Sequence, residues 1–130
     1  ARALGGSRST AVYAMSFNAK ATDLLKTLPG PPSAKWPEGV PFALALAHGS
    51  MSVEIYAPVG EDRQTPHEQD ELYFIRSGTA TLVVEGQRTH CEPGTVHFVP
   101  GRAEHRFETF TADFTTWVVF WGPAGGESAA

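Results

Sequence analysis

The chain has one cysteine, Cys91, in 130 residues. An intrachain disulfide is excluded, and so are zinc sites built on paired cysteines. Charge is sparse. Ten Lys and Arg stand against 14 Asp and Glu, a net of −4, and no two basic residues are adjacent. The clustered cations that nucleic acid or an anionic membrane surface would need are missing. No apolar run approaches the roughly 18 residues of a membrane-spanning helix. The expected partners therefore exclude nucleic acid and membrane. A lone thiol fits a reducing compartment, so a cytoplasmic location is expected.

What the chain does have is punctuation: 13 glycines and 10 prolines. So many breakers in a chain of one-domain length predict short elements joined by turns. Ala1 to Ala14 lacks the apolar stretch of a signal peptide and reads as an expression leader or a mobile tail. Asn18 to Leu28 predicts a short helix, with Asn18 as cap, Leu24, Leu25 and Leu28 as apolar stripe, and Pro29-Gly30 as stop. Pro29 to Pro41 holds five prolines and reads as an extended strap, with Trp36 placed to pin it.

From Phe42 the pattern becomes strand-like. The runs are FALALA, MSVEIYAP, ELYFIRS, TATLVVEG, TVHFVP, HRFETF and FTTWVVFWG. Most are rich in Val, Ile, Thr and aromatics, with glycines between them. Glu85-Gly86 predicts a tight hairpin. The fold class is all-β, a small antiparallel sandwich or barrel behind a short N-terminal helix. The expected division is tail, helix and strap over 1–41, barrel over 42–122 and a flexible tail over 123–130.

Chemistry concentrates between Gly60 and Gly78. Glu71, Tyr73 and Ile75 share one strand face, and Leu72 and Phe74 the other. A glutamate opening an apolar strand needs a mouth or a polar pocket, because burial without a partner is costly. A cation held between Glu71 and two imidazoles would offset that cost. His67, four residues earlier, and His105 complete a two-histidine, one-carboxylate set that suits octahedral Fe or Mn and can also hold Zn or Ni. A solvated salt pair at His67 and Glu71, and an edge histidine at His105, are the plainer readings.

These residues carry a resemblance to the cupin superfamily. In its first motif, Gly60, His67, Glu71 and Gly78 match the opening glycine, second histidine, glutamate and closing glycine, with one residue fewer after Gly60. In the second motif, Gly94, Pro100 and His105 match glycine, proline and histidine. The departures are Thr65 at the first histidine, Arg102 at a glycine and Thr109 at the asparagine. The resemblance implies a jelly-roll barrel (a double-stranded β-helix) and a metal site with His67, Glu71 and His105 as ligands. Gln64 is a candidate replacement ligand through its amide oxygen, with water as the alternative.

Tyr73, two residues beyond Glu71, is a candidate proton donor, or a pocket tyrosine bonded to a ligand residue. Val118 and Phe120 alternate with Trp117, Val119 and Trp121, so the last strand is apolar on both faces. A second subunit is the expected cover, giving a homodimer. The function expected is a metal-dependent enzyme on a small organic substrate, with dioxygenase chemistry slightly favoured. The alternative is a binding or sensing cupin with a bound metal and no turnover.

Overall fold

The computed structural model describes residues 17–128. The readings made for Ala1 to Ala14 lie outside them. Helix α1 covers Ala21–Leu25, shorter than the sequence predicts, and Lys20 rather than Asn18 precedes it without a side-chain cap. Leu24 and Leu25 are only half-buried, while Ala21 is buried. Trp36 does anchor the strap: it is buried and meets Phe42 edge-on, ring centroids 6.0 Å apart.

Eight strands follow: β1 (Phe42–His48), β2 (Met51–Tyr56), β3 (Asp70–Ser77), β4 (Ala80–Val84), β5 (Gln87–Cys91), β6 (Val96–Val99), β7 (His105–Glu108) and β8 (Thr115–Trp121). They form a five-stranded sheet, β1-β2-β8-β3-β6, facing a three-stranded sheet, β5-β4-β7. All pairings are antiparallel. The two sheets make an open jelly roll rather than a closed ring.

Alternation sorts the side chains. On β3, Glu71, Tyr73 and Ile75 point inward and are buried, while Phe74 and Arg76 are exposed. On β8, Thr116, Val118 and Phe120 are buried, while Trp117, Val119 and Trp121 are half-exposed. The core is aromatic. Phe107 packs against Tyr73 at 4.6 Å and Phe114 at 4.8 Å, and Tyr56 and Phe120 are also fully buried.

Two turns use backbone geometry that fixes the frame. Glu85 and Gly86 both have positive φ, 49° and 83°. That is the twist-matched turn of a two-residue hairpin, and it joins β4 to β5 as predicted. Gly78 has φ 71°, and a Cβ there would lie 2.6 Å from the Phe114 Cα. Only glycine fits this contact between the β3–β4 turn and the start of β8.

Beyond β8 the chain turns back along the barrel. Asp70, buried at the start of β3, accepts hydrogen bonds from the backbone N–H of Gly101 and of Glu127. Gly125 N–H donates to the Glu68 carbonyl, and Gln69 donates to the carbonyls of Ser50 and Gly122. These bonds join the segments on either side of the site residues.

Candidate metal centre

The two sheets bring the key side chains to one end of the barrel. Glu71 lies on β3 between Phe120 of β8 and Val99 of β6. His105 opens β7 in the other sheet, opposite Val84. His67 lies on the loop before β3, with its ring edge on Phe120 at 4.9 Å. The loops are tied together, because Arg102 N–H donates to the His67 carbonyl. Arg102 reaches that position with φ 68°, and its guanidinium meets Glu68 at 2.9 Å. A glycine would adopt this backbone without strain, so the hydrogen bond and ion pair hold the departure from the motif in place.

One ligand atom from each of His67, Glu71 and His105 lies within 4.8 Å of the others. The Glu71 and His105 side chains are each 1% exposed, and Glu71 Oε1 sits 3.2 Å from His105 Nε2. Among the described residues, neither Glu71 oxygen nor His105 Nε2 has a hydrogen-bond partner. His105 Nδ1 lies 2.9 Å from the Ala103 carbonyl, to which it can only donate. In a neutral ring, Nε2 therefore turns a lone pair toward a carboxylate oxygen. That arrangement is repulsive unless a proton or a cation lies between them. For the proton, burial disfavours the imidazolium, but the Glu71 carboxylate outweighs it and raises the His105 pKa.

The interior as a whole is short of positive charge. Glu54, Asp62 and Glu71 are all buried, and no lysine or arginine is buried among the described residues. The residues fit a divalent ion: two imidazoles and a carboxylate converge, with Glu71 and His105 almost wholly buried.

Gln64 joins this group. Its Oε1 lies 3.2 Å from His67 Nε2 and accepts a hydrogen bond from the Tyr73 hydroxyl at 3.2 Å. Tyr73 is fully buried. Burial, then the Glu71 carboxylate, pushes its pKa well above the usual tyrosine range, so it keeps its proton. His97 is half-buried beside Tyr73 on β6 and bonds Thr95, not the centre. His48 and His90 are exposed, and Cys91 is buried.

Sequence reasoning passed over Asp62 and Glu54. Asp62 is buried and gathers the Tyr56 hydroxyl, the backbone N–H groups of Gln64 and Phe107, and the Gln64 side-chain amide. Glu54 had a readable signal: it shares a strand face with Ser52 and Tyr56, opposite Val53 and Ile55 in an apolar run.

Comparison with known proteins now bears on this geometry. Residues 52–121 match the cupin domain (Cupin_2). The chain belongs to the cupin family. An uncharacterized protein of Streptomyces coelicolor, SCO3923, is 40% identical over 80 residues, covering 60% of this chain and 76% of that protein. Among solved structures, a Cupin 2 conserved barrel domain protein from Salinispora arenicola is similar at TM-score 0.53 and 20% identity, covering 62% of this chain and 74% of that one. KdgF from Halomonas is similar at TM-score 0.56 and 14% identity, covering 63% and 77%. At these identities the structural likeness concerns the fold.

Proposed function

We propose that this cupin is a metal-dependent enzyme acting on a small organic molecule, with His67, Glu71 and His105 holding one divalent ion. Fe, Mn, Ni and Zn are the candidates. The observation that carries the proposal is the convergence of His67, Glu71 and His105, with buried Glu71 Oε1 3.2 Å from His105 Nε2. A divalent ion at this position supplies Lewis acidity toward a substrate oxygen and, for Fe or Mn, the redox capacity that dioxygenase chemistry uses.

The chain's own residues set the rest. The Ala103 carbonyl fixes the His105 tautomer so that Nε2 faces the centre. The aromatic floor of Tyr73, Phe107 and Phe120 excludes water from below. Tyr73 holds a proton on its hydroxyl beside the centre and is the proposed proton donor. Of the three proposed ligands, His67 alone is half-buried, so a substrate would arrive on its side.

One observation favours the binding or sensing alternative. The barrel interior beneath the centre is packed with aromatic rings, which limits the room for a substrate. Retention of an organic ligand without its conversion would support that reading over turnover. A homodimer and a cytoplasmic location belong to the same proposal. The apolar outer face of the five-stranded sheet and the free thiol of Cys91 support them.

Calorimetric titration of metal-stripped protein with each of the four ions tests the centre. About one ion per chain should bind. Glu71→Ala should weaken binding by more than the ~10–100-fold typical of removing an outer partner of a ligand. Unchanged affinity in that variant would remove Glu71 from the centre.

A further inference from the structure

Three features reach beyond the three-ligand centre. The exposed apolar sheet face has no occupant that the structure identifies beyond the dimer already proposed. The cleft between β5 and β6, lined by Gln87, Thr89 and His97 among others, has no convergent set of reactive groups. The third feature, the Asp62–Gln64 pair, has a definite geometry with a chemical consequence.

Asp62 is an acceptor-only carboxylate with four donors on its two oxygens. Tyr56 and the Gln64 backbone N–H share Oδ1, and the Phe107 backbone N–H and Gln64 Nε2 share Oδ2. The bond from Gln64 Nε2 is 2.7 Å. Only the NH₂ end of an amide can face a carboxylate. The opposite end, Oε1, is therefore forced toward His67 and Tyr73. Tyr73 occupies one lone pair of that oxygen, and the other faces His67 Nε2, the contact an ion between the two would replace.

The spacing is that of neighbouring ligands. Adjacent vertices of an octahedron with bonds of about 2.1 Å lie ~3 Å apart. Gln64 Oε1 to His67 Nε2 is 3.2 Å, and Glu71 Oε1 to His105 Nε2 is also 3.2 Å. The two pairs belong to one cluster, because the His67, Glu71 and His105 ligand atoms lie within 4.8 Å of one another.

We infer that Gln64 Oε1 is a fourth ligand to the ion, and that Asp62 is the positioning residue that turns the amide oxygen toward it. The inference rests on the proposed three-ligand centre and narrows its chemistry. An uncharged oxygen from the residue before Thr65 replaces the imidazole that the family pattern has at Thr65. The set becomes two nitrogens and two oxygens, which moves the preference toward the harder ions, Mn and Fe, and away from Zn and Cu.

The full chain loaded with Mn²⁺ allows a count of bound waters from EPR line broadening in ¹⁷O-labelled water. Six octahedral positions less four protein ligands leave two waters. Gln64→Leu should raise the count to three. Asp62→Asn should do the same, because its new NH₂ group invites Gln64 to reverse its amide. Mn²⁺ affinity should fall ~10–100-fold in Asp62→Asn. Thermal melts establish that the variants fold. If they do not, the wild-type count decides: two waters support the fourth ligand and three overturn it. An identical count in folded Gln64→Leu and wild type also overturns it, while leaving the three-ligand centre standing. A wild-type chain that binds no divalent ion overturns the parent proposal and this inference together.

Discussion

At the residue scale, the centre turns on pairs of groups whose roles are set by their neighbours. His105 is the clearest titrating member. Burial alone would lower its pKa, but Glu71 raises it above the usual value. In metal-stripped protein the folded pKa therefore exceeds the unfolded value of about 6.5. The pair contributes its full stability below that value and loses it as pH rises through the folded pKa. Melting temperature of the stripped chain should fall across this window, and Glu71→Gln should flatten the fall. A melting temperature that rises there would contradict the pairing. Cys91 gives a second residue-scale prediction. Burial pushes its thiol up to about 11, so thiol reagents at neutral pH should label it only after unfolding. Rapid labelling of native protein would place it elsewhere. Glu71 and Tyr73 were legible in the sequence through strand alternation. Asp62 was not, because its burial depends on donors from Tyr56 and Phe107, which lie far apart in the chain.

At the element scale, turns and ties position the ligands. The Gly78 turn butts against the backbone of Phe114 and holds a positive φ. Gly78→Ala should cost at least ~1–2 kcal/mol from the left-handed backbone alone, with the close contact adding to it. Urea denaturation measures this, and an unchanged midpoint would count against the contact. The strands and the Glu85-Gly86 hairpin were readable because period-two patterning and turn chemistry are local. Helix α1 came out shorter because no side chain caps it and only Ala21 is buried. The return of the chain after β8 was invisible, since Asp70 reads as a surface acid until the N–H groups of Gly101 and Glu127 reach it.

At the scale of the molecule, the sheets do opposite jobs on their two faces. Their inner faces meet at Glu71 and His105. The outer face of the five-stranded sheet carries Phe74, Val96 and Phe98 at 43%, 54% and 52% exposure, with half-exposed Trp117 and Trp121 beside them. This patch supports the proposed homodimer. Light scattering should find twice the chain mass, and Phe98→Asp should return the monomer with its metal retained. A monomeric wild type would remove the dimer from the account. The sequence showed the two apolar faces of β8, but the meeting of His105 with Glu71 had no local signal. It follows from two sheets stacking, and the motif resemblance was the indication that they would.

Anomalous diffraction from crystals grown with Fe, Mn, Ni or Zn tests the central claim most directly. The account predicts one strong peak within bonding distance of Glu71, His67 Nε2 and His105 Nε2. A barrel with no peak for any of the four ions, and with the Glu71 carboxylate bonded only to water, would contradict it.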